Sequence, residues 1–105
     1  MNATTLRALA DSNRLKIVEL LLSGPLTVGE IVDRLGLHQP QVSKHLRVLS
    51  DAGLVEAEPS ANRRIYRLRP EPLRELEDWV GSFKRIWDDH LDRLDDYLRE
   101  LQTPE

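Results

Sequence analysis

The chain has 105 residues, 40% of them hydrophobic, which fits one small domain with a modest core. It contains no cysteine, so disulfides, thiolate metal sites and cysteine nucleophiles are excluded. The N-terminus lacks the pattern of a signal peptide, and no apolar run approaches the ~18 residues that cross a bilayer. We therefore expect a cytoplasmic protein with no membrane partner.

The net charge of -3 is unevenly distributed along the chain. Residues 1–72 carry 10 Lys and Arg against 8 Asp and Glu, whereas residues 73–105 carry 5 against 10. Residues 36–70 have 6 basic and 3 acidic side chains. Because the negative charge is concentrated in the tail, the middle of the chain is locally suited to meet phosphates.

Two short helices are predicted at the N-terminus, within residues 1–23. The first covers residues 2–10, and the second begins near residue 13 after an N-cap at Asp11 or Ser12. Arg14 is expected to form a structural salt bridge rather than to reach a phosphate. The apolar residues of the second helix, expected in the core, are Leu15, Val18, Leu21 and Leu22.

Residues 27–53 have the sequence form of a helix-turn-helix. Thr27 and Glu30 predict a capping box that starts a helix, and Gly36 predicts its end. A second helix then runs from Gln39 to the stop signal at Gly53. The connection between the two helices is short and contains an apolar residue.

The second of these helices has two chemically different faces. At ~100° per residue, Val42, Leu46 and Leu49 share a narrow stripe that predicts burial. The opposite face offers the groups that contact base edges and phosphates, namely Ser43, Lys44 and Arg47 with Gln41 at the edge. Of the histidines nearby, His45 is expected to be half-buried by packing, and His38 either caps poorly or points at a phosphate.

Residues 54–69 predict a two-stranded hairpin around the turn-forming residues 59–62. Asn62 is expected to take the left-handed conformation of that turn. Arg63 and Arg64 then lie at or near the tip. A hairpin that follows a helix-turn-helix and carries two arginines is typical of a wing that contacts phosphates or a minor groove.

Residues 72–102 predict one long helix. Apolar residues recur every three or four positions, while the other positions are crowded with charge. A helix of roughly 30 residues spans about 45 Å, more than a small domain covers, so its seam predicts pairing with a second copy. The seam comprises Leu76, Val80, Phe83, Trp87, Leu91, Leu94 and Leu98. Its aromatic residues are read as packing residues, so no cofactor is expected.

Three strings resemble the arsenic-repressor (ArsR) family of bacterial winged helix-turn-helix regulators: ALADSNRL at residues 8–15, VSKHLRVL followed by AGLV within residues 42–55, and RIYRL at residues 64–68. The resemblance implies a mainly α fold with a small β-hairpin wing and a long C-terminal dimerisation helix, in a single domain. It also implies a homodimeric repressor on a two-fold operator, joined through its first and last helices with Leu6 and Leu9 contributing. By the same likeness the groove-facing residues of the recognition helix are Gln39, Gln41, Ser43, Lys44 and Arg47.

The sequence departs from the family's metal-sensing patterns. The Cys-x-Cys pair of metal-sensing members is replaced by Thr27 and Gly29. Asp88 and His90 match the first half of a zinc motif, but no histidine follows them, and two ligands hold zinc weakly. No metal is therefore expected, and the inducer is not evident.

Other functions fit the residues less well. Ser43 and His45 are about 200° apart on a helix, so a hydrolase built on them is excluded. The acidic tail leaves open a winged-helix module that only binds proteins, and the half motif leaves open a metal-responsive sensor. Double-stranded DNA remains the preferred partner.

Overall fold

The computed structural model describes residues 2–102. The expected mainly α fold with a hairpin wing is confirmed. Contacts between residues divide the chain into two compact units, one ending at Leu73 and the other beginning at Arg74. That the chain is a single domain stays a prediction. The elements are α1 (Ala3–Leu9), α2 (Ser12–Leu21), β1 (Leu26–Thr27), α3 (Val28–Leu35), α4 (Gln39–Asp51), β2 (Val55–Ser60), β3 (Arg63–Leu68) and α5 (Pro70–Gln102).

Side chains at the α1–α2 junction satisfy the free helix ends. Asp11 is the N-cap of α2, and its Oδ1 accepts from the backbone N–H groups of Asn13 and Arg14 at 2.9 and 3.1 Å. The Arg14 guanidinium donates to the carbonyl oxygens of Ala8 at 2.7 Å and Arg7 at 3.3 Å. Arg14 is thus structural, as expected, but it caps α1 through carbonyls instead of the predicted carboxylate partner.

The buried face of α2 differs from the predicted one. Ile17, Val18 and Leu21 are buried, whereas Leu15 and Leu22 are 43% and 67% exposed. Leu15 and Ile17 lie about 200° apart on a helix, so only one of them can face the core. The core of this unit contains Ala8, Ile17, Val18, Leu21, Leu26, Ile31, Val42, Leu46, Leu49, Leu54 and Val55.

The predicted helix-turn-helix is confirmed. Thr27 Oγ1 accepts from Glu30 N–H at 3.2 Å, and Glu30 Oε1 accepts from Thr27 N–H at 3.1 Å, which completes the capping box of α3. Gly36 ends α3 with φ of 67°, in the left-handed region that favours glycine. Residues 36–38 then lead directly into α4.

The wing is part of a three-stranded antiparallel sheet in the order β1-β3-β2. Ser60 pairs with Arg63, so the turn consists of Ala61 and Asn62 alone, shorter than the predicted tetrad. The left-handed residue is Ala61, with φ of 56°, and not Asn62 as expected. Because Pro59 and Ser60 extend β2, the first position of a two-residue turn falls on Ala61.

Helix α5 has 33 residues and is about 50 Å long. It begins two residues before the predicted start, and none of its described residues is buried within the single chain. Trp79 and Phe83 meet edge to face, with ring centroids 4.8 Å apart. Within residues 2–102 no helix is long and apolar enough to span a membrane.

Candidate nucleic-acid interface

The buried stripe of α4 determines which of its side chains face outward. Val42, Leu46 and Leu49 are fully buried, as the periodicity predicted. Burial of these three side chains is favourable because it removes apolar surface from water, so this side of the helix packs against the core. The polar side chains predicted to contact DNA are all exposed, namely Gln39, Gln41, Ser43, Lys44 and Arg47.

A cleft of about 1040 Å³ lies between α3, α4 and the wing. Five of the seven predicted DNA-binding residues line it: Gln39, Ser43, Arg47, Arg63 and Arg64. Gln41 and Lys44 are not among its lining residues. At ~100° per residue, these two lie on the side of α4 away from Gln39 and Ser43. The predicted DNA-binding residues of α4 are therefore divided between two sides of its exposed surface.

The six basic residues between positions 36 and 70 fall into two groups, those with an ion pair in the described part of the chain and those without one. Arg67 pairs with Glu56 at 3.8 Å and with Glu58, and Arg69 pairs with Glu71 at 3.9 Å. No ion pair within 4 Å is found in residues 2–102 for the other four. Those four, Lys44, Arg47, Arg63 and Arg64, are the cationic members of the predicted DNA-binding set.

Three carboxylates outside the predicted DNA-binding set also line the cleft: Glu30, Asp33 and Asp51. The hydrogen bond from the Thr27 backbone is the main cause that holds the pKa of Glu30 below its ordinary value, and Arg63 is a smaller cause. Glu30 is therefore ionised near a wing arginine. The cleft is thus lined by three carboxylates and by the three guanidinium groups of Arg47, Arg63 and Arg64, so an anion is favoured only beside the arginines.

The start of α4 is capped by an unexpected side chain. His38 is the N-cap, but its imidazole makes no capping hydrogen bond. Instead Gln41 Oε1 accepts from the His38 backbone N–H at 3.1 Å. Gln41 thus provides the side-chain contact at this helix start, and a phosphate contact of His38 stays a prediction.

His45 is half-buried, as predicted, on the flank of α4. Its Nδ1 is buried and has no hydrogen-bond partner within residues 2–102. His45 also contributes to the lowered pKa of Asp11, although the hydrogen bond from the Arg14 backbone is the larger cause. The histidine thus belongs to the packing between α4 and the start of α2 and lies outside the cleft.

The apolar residues predicted for dimerisation remain accessible in the single chain. Leu9 and Leu76 are half-buried. The others are exposed: Leu6, Val80, Phe83, Trp87, Leu91, Leu94 and Leu98. In residues 2–102 no group of three or more His, Asp or Glu is arranged to hold a metal ion.

A helix-turn-helix followed by a hairpin, with exposed basic side chains on both, defines a winged helix-turn-helix protein. A family model described as "Bacterial regulatory protein, arsR family" matches residues 11–57. The HTH-type transcriptional regulator Rv2034 of Mycobacterium tuberculosis is 49% identical over 77 residues, covering 73% of this chain and 72% of that protein. The chain therefore belongs to the ArsR family, as its motifs predicted, and is a transcriptional regulator and not an enzyme.

Two further relatives extend the likeness. The transcriptional repressor SdpR of Bacillus subtilis is 28% identical over 85 residues, which cover 81% of this chain and 94% of that protein. A solved structure titled "Possible transcriptional regulator for arsenical resistance" is 35% identical with a TM-score of 0.70, covering 99% of this chain and 100% of that one. The family thus includes repressors, which supports a DNA-binding repressor.

Proposed function

We propose that this ArsR-family regulator is a homodimeric repressor that binds a two-fold operator and excludes RNA polymerase from the promoter. The observation that carries the proposal is the separation of charges around α4 and the wing. Lys44, Arg47, Arg63 and Arg64 are left without carboxylate partners within 4 Å in residues 2–102, whereas Arg67 is paired. A surface of unpaired cations beside an exposed polar helix matches the duplex backbone and groove edge.

On DNA, α4 enters the major groove and the wing follows the flanking backbone. Lys44, Arg63 and Arg64 neutralise phosphates and fix the orientation of the protein without reading sequence. Gln39, Gln41, Ser43 and Arg47 form the candidate set for base contacts, because amide, hydroxyl and guanidinium groups pair with base edges. Such a protein acts on the chromosome, in the cytoplasm.

Dimerisation supplies the second half of the operator contact. The large apolar side chains of α5 that are exposed have accessible fractions from 39% to 65%, which is unfavourable in water. A second copy with the same face removes them from solvent at a two-fold axis. Two α4 helices then meet successive major grooves about 34 Å apart, which requires a palindromic site.

Changing Trp87 to glutamate tests the dimer directly. The charge at the centre of the apolar face should produce a monomer in analytical ultracentrifugation, and the monomer should bind the selected operator poorly. Gly81→Glu adds the same charge on the polar side of α5, where a new Cβ meets no atom within 4 Å, so it should remain dimeric. A Trp87→Glu variant that sediments as a dimer contradicts the proposed interface.

Selection of bound fragments from a random duplex pool tests the DNA side of the proposal. Wild-type protein should enrich a sequence with two-fold symmetry and half-sites one helical turn apart. A protein that stays indifferent to every duplex at low ionic strength refutes the repressor and supports the protein-interaction module.

A further inference from the structure

Gln41 uses its side chain inside the protein, although it lies on the exposed surface of the recognition helix. Its Oε1 accepts from the His38 backbone N–H at 3.1 Å. Its own N–H, together with that of Val42, donates to the His38 carbonyl at 3.0 and 3.1 Å. Gln41 and His38 are therefore joined in both directions across the first turn of α4.

This pair substitutes for the usual cap of such a helix. The first N–H groups of a helix have no partner within it, and a Ser, Thr, Asp or Asn side chain normally accepts from one of them. The His38 imidazole does not do so. The Gln41 half of a capping box is therefore the side-chain contact that holds His38 to the helix.

The position of His38 makes this contact matter for DNA binding. Gly36 ends α3 with φ of 67°, and only Leu37 separates it from His38. The orientation of His38 therefore decides how the three-residue turn passes into α4. An ordered His38 backbone also sets the position of the next residue, Gln39, which lines the cleft.

The same contact conflicts with base reading by Gln41. An amide reads adenine by accepting with its oxygen and donating with its nitrogen at the same time. The hydrogen bond to His38 directs the oxygen of Gln41 toward the turn that precedes α4, and Gln41 does not line the cleft. Gln39 and Ser43 line the cleft, on the other side of the exposed surface of α4.

We propose that Gln41 is a positioning residue that locks the turn to the start of the recognition helix, and that Gln39, Ser43 and Arg47 discriminate bases. The inference narrows the base-reading set given above and rests on the proposed DNA-binding function. It assigns two neighbouring glutamines, two residues apart, to different tasks.

Glutamate substitutions at the two glutamines separate these tasks. Glutamate keeps the acceptor that a capping box needs but cannot donate to a base. Gln41→Glu should leave the urea midpoint and the preferred operator sequence unchanged, with some uniform loss of affinity from the added charge. Gln39→Glu should change the preferred base, because a carboxylate accepts from cytosine and no longer pairs with adenine.

Gln41→Ala supplies the loss-of-cap measurement. The folding equilibrium constant should fall by about 2- to 10-fold, the effect of one net hydrogen bond. Affinity for the selected operator and for random duplex should fall by the same factor, because the first turn must be ordered again on binding. Asp11→Ala, which removes the N-cap of α2 and does not alter a residue that lines the cleft, is a matched control for lost stability alone.

A change of preferred base in Gln41→Glu, or a Gln41→Ala variant with unchanged stability and relaxed sequence preference, overturns the proposal. Failure of the wild-type protein to bind any duplex has a different meaning. That result contradicts the proposed DNA-binding function and, with it, base recognition by Gln39. The urea midpoints of the Gln41 variants still decide whether Gln41 stabilises the turn.

Discussion

Replacing Arg63 by alanine should flatten the salt dependence of DNA binding, whereas replacing Arg67 on the same strand should leave it unchanged. The two arginines are four residues apart on β3. Arg67 already contacts Glu56 and Glu58, so it releases no counterion from DNA. Arg63 lines the cleft and has no ion pair within 4 Å in residues 2–102.

The size of the effect follows from the number of cations that neutralise phosphates. Lys44, Arg63 and Arg64 give three per subunit and about six per dimer, and each neutralised phosphate contributes about -0.9 to the slope of log K against log[salt]. The wild-type slope is then about -5, which is a loss of about 10³-fold between about 50 and 200 mM salt. Arg63→Ala removes two contacts per dimer, so its slope is about -4 and its loss about 10²-fold.

Fluorescence anisotropy with one labelled operator at several salt concentrations measures these slopes. Arg67→Ala is the matched control; it should keep the wild-type slope, with a small uniform drop in affinity because two carboxylates lose their partner. Equal changes of slope in Arg63→Ala and Arg67→Ala would show that the internal ion pairs do not decide which wing arginines meet phosphates.

Two predictions concern the stability of the fold. Leu46→Ala should lower the free energy of unfolding by about 2–5 kcal/mol, because Leu46 is fully buried and its removal leaves a cavity; urea denaturation measures the loss, and a change below about 1 kcal/mol contradicts the assigned core. The lowered pKa values of Asp11 and Glu30 stabilise the protein above their ordinary values of 3.8 and 4.5. Stability should therefore fall as the pH drops through this range and below, and less steeply in an Asp11→Asn, Glu30→Gln variant; equal slopes contradict the assignment.

The parts of the fold that were predictable from sequence are those with local signals. Thr27 and Glu30 are three residues apart, and Gly36 supplies the left-handed stop, so α3 and the turn follow from neighbours in the chain. Strand β1 carries no such signal. Leu26 and Thr27 become a strand only because they pair with Tyr66 and Ile65, about 40 residues later in the chain.

The features of the candidate site that were not predictable depend on which hydrogen-bond or ion-pair partner a polar side chain has in the folded protein. Arg63 and Arg67 have the same chemistry, and the register that aligns Arg67 with Glu56 distinguishes them. Gln41 is a good candidate for both capping and base reading. Its assignment to the cap depends on the imidazole of His38 making no capping hydrogen bond, which no periodicity encodes.

The apolar face of α5 is broader than the seam predicted from its periodicity. At ~100° per residue the predicted seam residues fall within about 80°, but Trp79, Ile86 and Tyr97 widen the apolar arc to about 140°. These three are 39%, 52% and 57% exposed. A two-stranded coiled coil buries only a narrow stripe on each helix, so one partner helix leaves this outer row in water. We propose that α1 of the partner, with its exposed Leu6, covers this row, so that the proposed dimer is a small helical bundle and not a simple zipper.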